Sequence, residues 1–228
     1  MPAEEAIMVT TSLIFAGGLA LSDATMQAVR EITEFDLVIA ADSGLHSAQK
    51  LGLTVDVVIG DMDSVDKSAL AEVTSRGSKI IQHDRDKNFT DLHSALLYAA
   101  EHGSKKIIVI TAGGGRLDHQ LGIIAAMFDP ILKQVEVQAL WDDSKIFALQ
   151  GETSCEFAAE IGDIVGLQAY GATATGVSTI GLRWKLSNES LEVYETRGVS
   201  NEVTDNQVSV SIAHGQLLII HQQKATNQ

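Results

Sequence analysis

Up to Pro130 the apolar residues of this chain alternate between two kinds of spacing. Short unbroken runs occur at Thr10–Phe15, Asp36–Ala41, Val55–Ile59, Lys79–Gln82 and Ile107–Ile110. Ile107–Ile110 is purely aliphatic, the pattern of a strand covered on both faces. Between the runs, apolar positions recur three and four residues apart, which predicts helices. The first is capped by Ser22 or Asp23 and runs to about Glu34, and the second spans Leu45–Leu51 and stops at Gly52. A third follows a cap at Ser64 or Asp66 and runs to about Ser75. A fourth spans Leu92–His102 behind Thr90 or Asp91, and a fifth runs from about Gln120 to Met127. Strand and helix in alternation predict a parallel sheet with helices on its faces.

Beyond Pro130 the three- and four-residue spacing disappears. Val135–Leu140, Ser144–Leu149, Ser154–Phe157, Ile164–Ala169, Leu182–Leu186, Leu191–Tyr194, Gln207–Ile212 and Gln216–His221 read as short strands separated by Gly, Asn, Asp and Ser. That pattern predicts an antiparallel sandwich or barrel. The expected organisation is an α/β half, residues 1–133, followed by a β-rich half, residues 134–228.

Composition narrows the function classes. The 228 residues carry 16 basic and 30 acidic side chains, a net charge of −14, which argues against nucleic acid or an anionic membrane surface as partner. Phosphate remains a suitable ligand where metal ions, backbone amides and a few cations manage charge locally. Cys155 is the single cysteine, so an intramolecular disulfide and a thiolate metal cluster are both excluded. The opening Met1-Pro2-Ala3-Glu4-Glu5 has no basic segment and no apolar run reaches membrane-spanning length, so a cytoplasmic location is expected.

The chemistry is concentrated where predicted strands end. Val57–Ile59 leads into Gly60-Asp61-Met62-Asp63-Ser64. Two carboxylates at alternate positions fall on one side of an extended chain, beyond the carboxyl end of a strand, where open α/β sheets bind ligands. Such a pair suits Mg²⁺, which takes few protein ligands and fills its shell with water and phosphate oxygens. A solvated acidic turn is the plainer explanation. Asp42-Ser43-Gly44 repeats the carboxylate–glycine pattern after the preceding strand, and Gly17-Gly18 follows the first. The stretch from His83 to Asp91 contains Asp86, Lys87, Thr90 and Asp91. Capping accounts for Thr90 or Asp91, but Asp86 lies too far upstream, and Lys87 can neutralise a phosphate. Gly113-Gly114-Gly115-Arg116, followed by Asp118-His119, offers backbone amides and a planar guanidinium to an anion at a strand–helix junction. It lacks the Gly-Lys-Ser/Thr of a Walker loop and the glycine spacing of a dinucleotide fingerprint. Trp141 and Trp184 fit a packing role better than a ligand-stacking one, unless something else places them at a site.

One competing chemistry shares the D-x-D pattern. Asp61-Met62-Asp63 after an apolar strand also fits the start of haloacid-dehalogenase-type phosphatases, with the first aspartate as nucleophile and the second as general acid. The position on a third strand, the missing later acidic pair and the all-β second half speak against it.

Taken together, the motifs resemble the thiamine pyrophosphokinase family. The resemblance rests on Gly60–Ser64 for G-D-x-D-S, on Asp86, Thr90 and Asp91 for D-x-D-x-T-D, and on Gly114–His119 for G-G-R-x-D-H. It also rests on Gly181–Leu186 for G-L-x-W-x-L, and on Ser200-Asn201-Glu202. It implies a Rossmann-like nucleotide-binding domain joined to a β-sandwich, a homodimer with active sites at the subunit interface, and Mg²⁺-dependent pyrophosphoryl transfer from ATP to the thiamine hydroxyl. By that resemblance Asp61, Asp63, Asp86 and Asp91 hold metal and orient the hydroxyl, one of them acting as base. Asp42, Ser43, Gly44, Ser64, Lys87, Thr90, Gly113, Gly114, Gly115, Arg116, Asp118 and His119 serve the nucleotide. Trp184, Ser200 and Asn201 serve thiamine. The chain departs from the family pattern at Asn88, where a second aspartate is usual, at Ile123, where an asparagine often follows Gly122, and at Asp42-Ser43-Gly44. A binding-only sensor, or an enzyme for another small alcohol, are the alternatives these departures raise.

Overall fold

A computed structural model describes residues 10–84, 86 and 88–224. The first half follows the predicted alternation: β1 (Thr11–Phe15), α1 (Asp23–Arg30), β2 (Leu37–Ala41), α2 (Gly44–Lys50), β3 (Val57–Gly60), α3 (Lys67–Ser75), β4 (Lys79–Gln82), α4 (Asp91–Glu101), β5 (Lys106–Thr111) and α5 (Leu117–Met127). Neighbouring strands in the order β5-β1-β2-β3-β4 are all parallel. One face of this sheet packs Leu92, Ala95, Leu96 and Ala99 of α4 and Met127 of α5, while the other packs Met26 and Val29 of α1, Leu45 and Ala48 of α2 and Val73 of α3. The sheet is therefore doubly wound, and its strands are apolar throughout because both faces are covered.

Helix ends account for the small differences from expectation. α1 stops at Arg30 rather than Glu34, since Ile32 turns back to bond the Val29 carbonyl. α5 begins three residues earlier than predicted, so Arg116 is its N-cap and the glycine run abuts the helix directly.

After a short 3-10 turn at Pro130–Leu132 the remaining strands are β6 (Glu136–Trp141), β7 (Ser144–Gln150), β8 (Thr153–Ala158), β9 (Ile164–Ala169), β10 (Ala174–Ile180), β11 (Glu189–Leu191), β12 (Asn201–Glu202), β13 (Gln207–Ile212) and β14 (Gln216–Gln222). β6 pairs parallel with β5 and antiparallel with β7, so the parallel sheet runs on into antiparallel strands as a single ten-stranded sheet. A separate four-stranded sheet, β11-β10-β13-β8, covers its far end. Phe147, Leu149, Val165, Leu167, Leu217 and Ile219 from the large sheet meet Phe157, Val177, Val208 and Val210 from the small one, which makes the sandwich core.

Three expectations for this half are corrected. Leu182–Leu186 is no strand, because only Leu182 makes a single bridge, to Val203. The strand expected at Leu191–Tyr194 lies earlier, at Glu189–Leu191. β10 has no counterpart in the sequence reading: Gly176, at φ +69°, sits where its pairing with β11 shifts register, and a glycine bulge reads as a separator.

Candidate active site

The strand order reverses at β1, which lies between β2 and β5. Loops leaving the carboxyl ends of β1 and β5 therefore diverge and open a crevice, the usual ligand position in open α/β sheets. A cavity of about 410 Å³ lies there, lined by Gly17 and Gly18 after β1, Asp42 and Ser43 after β2, Gly113–Arg116 after β5, and Thr90 and Asp91 at the start of α4. A larger cavity, about 560 Å³, lies between β6, β7 and β8 and contains none of the predicted site residues.

At the β2–β3 end of the crevice, Asp42, Asp61 and Asp63 bring one carboxylate oxygen each to within 4.8 Å of one another. All three sit on or beside left-handed backbone, with Asp42 at φ +49° and Met62, between Asp61 and Asp63, at +64°. These conformations re-aim the chain so that side chains from adjacent strands converge. The Ser64 hydroxyl donates a short hydrogen bond to Asp42 Oδ2, and the Asp63 N–H donates to Asp61 Oδ1 at 3.1 Å. Asp42 Oδ1 is buried and has no hydrogen-bond partner among the described residues. Like charges gathered this closely, with a buried acceptor left over, fit a hard divalent cation, and an all-oxygen donor set suits Mg²⁺. Sequence reasoning gave Asp42 to the nucleotide and not to the metal. The signal was present, since Asp42 follows β2 as Asp61 follows β3, and the two strands are neighbours.

Asp86 and Asp91 fall outside this cluster. Asp91 lines the crevice from the first turn of α4, whereas Asp86 is exposed in the loop after β4, its N–H donating to Asp84 Oδ1 at 3.1 Å. Thr90 caps α4, its hydroxyl oxygen accepting from the His93 N–H at 3.1 Å, so the capping explanation holds while the residue also borders the cavity. Lys87 lies outside the described residues.

On the opposite wall Gly113, Gly114 and Gly115 are all left-handed, with φ of +61°, +70° and +69°. A Cβ on Gly113 would stand 2.1 Å from the Trp141 indole nitrogen. Only glycine lets the loop pass this close to that ring; the Gly113 N–H donates to the Thr111 hydroxyl at 3.1 Å, and the Gly114 and Gly115 amides follow at the start of an 11-residue helix. The exposed Arg116 guanidinium grips Asp118 through Nε at 3.1 Å and Nη2 at 2.6 Å, and Asp118 also accepts from the His119 N–H. The hydrogen bond from Arg116 holds the Asp118 carboxyl below the usual carboxylate range. His119, Gln120 and Ile123 complete the wall. Gly44 acts from below, because a Cβ there would meet the Phe15 carbonyl oxygen at 2.1 Å, so α2 starts hard against β1.

The residues assigned to thiamine meet one another on the sandwich and not in this crevice. Asn201 is buried on β12; its Oδ1 accepts from the Trp184 N–H at 3.0 Å and its Nδ2 donates to the Trp184 carbonyl at 2.8 Å. Its amide is thus spent on fixing Trp184, whose side chain is left 56% exposed. Ser200, at φ +61°, is exposed beside it.

Two family models divide the chain between them: "Thiamin pyrophosphokinase, catalytic domain" matches residues 29–139 and "Thiamin pyrophosphokinase, vitamin B1 binding domain" matches residues 154–217. The chain belongs to the thiamine pyrophosphokinase family. Among its relatives, thiamine pyrophosphokinase 1 of Oryza sativa subsp. japonica is 30% identical over 165 residues, which is 68% of this chain and 62% of the rice protein. The chain thus spans about three fifths of the length of such plant relatives. Two solved structures share the fold. Thiamine pyrophosphokinase from Bacillus subtilis has a TM-score of 0.80 at 20% identity, covering 94% of this chain and 100% of that one. The one from Geobacillus thermodenitrificans has 0.76 at 18%, covering 95% and 99%. Within this thiamine pyrophosphokinase fold, the catalytic-domain match contains the three-carboxylate cluster and the glycine run, and the B1-binding match contains Trp184, Ser200 and Asn201.

Proposed function

We propose that the chain transfers a pyrophosphoryl group from ATP to the hydroxyl of thiamine, giving thiamine diphosphate and AMP. The observation that carries this is one crevice with a three-carboxylate cluster at one end and an amide-rich glycine loop at the other. Asp42, Asp61 and Asp63 would hold Mg²⁺, with Asp86 brought in from its loop. The bound ion would offset polyphosphate charge and fix its geometry, the main requirement of phosphoryl transfer. The Gly114 and Gly115 amides and the N-terminus of α5 bind phosphate oxygens, while the Gly113 N–H donates to the Thr111 hydroxyl at 3.1 Å and so anchors the loop. Arg116 exchanges the Asp118 carboxylate for phosphate, so the loop is pre-ordered before ATP arrives. Ser43, Gly44, Ser64, Thr90 and His119 shape the nucleotide side. Asp91, facing the crevice from α4, orients the acceptor hydroxyl and takes its proton.

Residues 1–133 then form the ATP- and Mg²⁺-binding half, and residues 134–228 the thiamine-binding and dimerising half. Trp184, Ser200 and Asn201 lie outside the crevice lining, so a homodimer completes each site with the sandwich of a second copy. Exposed apolar side chains support that arrangement: Leu117 and Leu121 on α5 beside the crevice, and Trp184, Val193 and Tyr194 on the β-rich half. A cytoplasmic location would supply the ATP this reaction consumes. No helix among the described residues is long and apolar enough to cross a membrane.

Incubation with Mg²⁺, ATP and thiamine tests the proposal, AMP and thiamine diphosphate appearing in equal amounts. Inorganic phosphate alone would indicate the phosphatase chemistry instead. Thiamine binding without turnover would indicate a sensor, the second reading, which the exposed Asn88 in place of an acid favours.

A further inference from the structure

Trp184 offers a ligand only one of its two faces. The Arg183 guanidinium carbon lies 5.0 Å from the centre of its ring, within cation–π range. Arg183 in turn is paired with Glu202, Nη1 to Oε2 at 2.8 Å, and its N–H donates to the Glu202 carbonyl at 2.9 Å. With Asn201 clamping the Trp184 backbone, the indole is fixed from behind by a charged pair and open in front.

A flat aromatic face attracts cations through its quadrupole, but a guanidinium already on the ring opposes a second cation on the other side. The Glu202 carboxylate cancels that opposition. We infer that Arg183 and Glu202 are positioning residues that make the open face of Trp184 selective for a flat, positively charged heteroaromatic ring: Arg183 sets the plane, and Glu202 removes the charge penalty. This rests on the proposal that Trp184 receives thiamine, whose thiazolium is such a ring. It adds that charge, and not only shape, is sensed there, and that the sensing group is a carboxylate that need not touch the ligand.

Steady-state kinetics on the full chain with three variants tests the inference. E202Q keeps the size of the side chain and a hydrogen-bond acceptor for Arg183 but removes the compensating charge. Its KM for thiamine should rise about fivefold, the scale of an exposed charge pair, with kcat and the KM for ATP unchanged. The rise should vanish in about 1 M salt, where screening acts within about 3 Å. It should also be absent for an uncharged thiophene isostere of thiamine, and R183Q/E202Q should restore the thiamine KM. A purely structural role for Glu202 predicts equal losses for thiamine and the isostere, and that result overturns the inference, as does an unchanged KM. W184A separates the two levels. If W184A leaves the thiamine KM unaltered, the placement of thiamine on Trp184 fails and the inference with it; if W184A raises it while E202Q does not, only the inference fails.

Discussion

Asp42 shows how much a single residue can be asked to do. It follows β2 in a left-handed conformation, accepts from Ser64 through Oδ2, leaves Oδ1 buried without a partner among the described residues, and brings a carboxylate oxygen within 4.8 Å of Asp61 and Asp63. Removing charge here should be nearly neutral for the fold but severe for turnover. Asp42→Asn and Asp61→Asn should each lower kcat by about two orders of magnitude, equivalent to about 3 kcal/mol of barrier. Both should also lose the rise in melting temperature that Mg²⁺ gives the parent chain, which differential scanning fluorimetry reads without any turnover. A variant that keeps both the rate and the Mg²⁺ shift would remove that residue from the metal set. Cys155 stands at the other extreme. Burial, with Glu136 and then Glu156 nearby, pushes its thiol up to about 12, so almost none is thiolate at neutral pH. Iodoacetamide at pH 7.5 should leave it unlabelled in the folded protein and label it fully in urea, as intact mass shows.

At the level of elements, the glycine loop depends on a contact that lies far off in sequence. Gly113 rests on Trp141, the last residue of β6, which is paired with Thr111 at the end of β5. Gly113→Ala must displace either the indole or the loop and adopt a strained φ as well, at a cost of about 1–3 kcal/mol. The KM for ATP should rise at least tenfold while the KM for thiamine stays close to the parent value. Much of this half was legible beforehand, because β2, β3 and β5 are aliphatic on both faces and α4 keeps a clean stripe at Leu92, Ala95, Leu96 and Ala99. Asp61 and Asp63 were legible for the same reason: a carboxylate pair after a buried strand has one place to go. Asp42 as their third neighbour was not, since strand adjacency is set by packing and not by local pattern. β10 was hidden by its own glycine bulge. Leu182–Leu186 looked like a strand because Leu182 and Leu186 are buried, yet that segment is held by the Asn201 amide and one bridge, which leave no trace in periodicity.

On the scale of the whole molecule the large sheet joins the two halves. Its far end is tied by Asp163, whose carboxylate accepts from the Lys224 and Glu160 N–H groups and pairs with His221 of β14 at 2.8 Å, with both side chains 3% exposed. Burial alone would raise the Asp163 pKa, but the bonds from Lys224, Glu160 and His221 outweigh it and hold it below the ordinary value. Its ionised form therefore stabilises the fold above the unfolded carboxylate range, near pH ~4, and that contribution is lost as pH falls through the lower folded value. Asp163→Asn should cost roughly 3 kcal/mol in urea titrations at pH 7, with the gap to the parent closing under acid conditions. The proposed dimer makes a separate demand: sedimentation equilibrium should give twice the 24.3 kDa chain mass.

β14 is the last strand of the described chain to be synthesised, yet it lies between β7 and β9, bonded to both along its length. Until it leaves the ribosome, β7 and β9 each expose a bare edge and the sandwich has no middle, whereas the parallel strands from β1 to β6 already have all their partners. The nascent chain should thus acquire its crevice for nucleotide early and its second half in one late step. In that interval the vulnerable surface is the pair of unfilled edges where β14 will insert, and a chaperone or a neighbouring nascent chain would meet the protein there first.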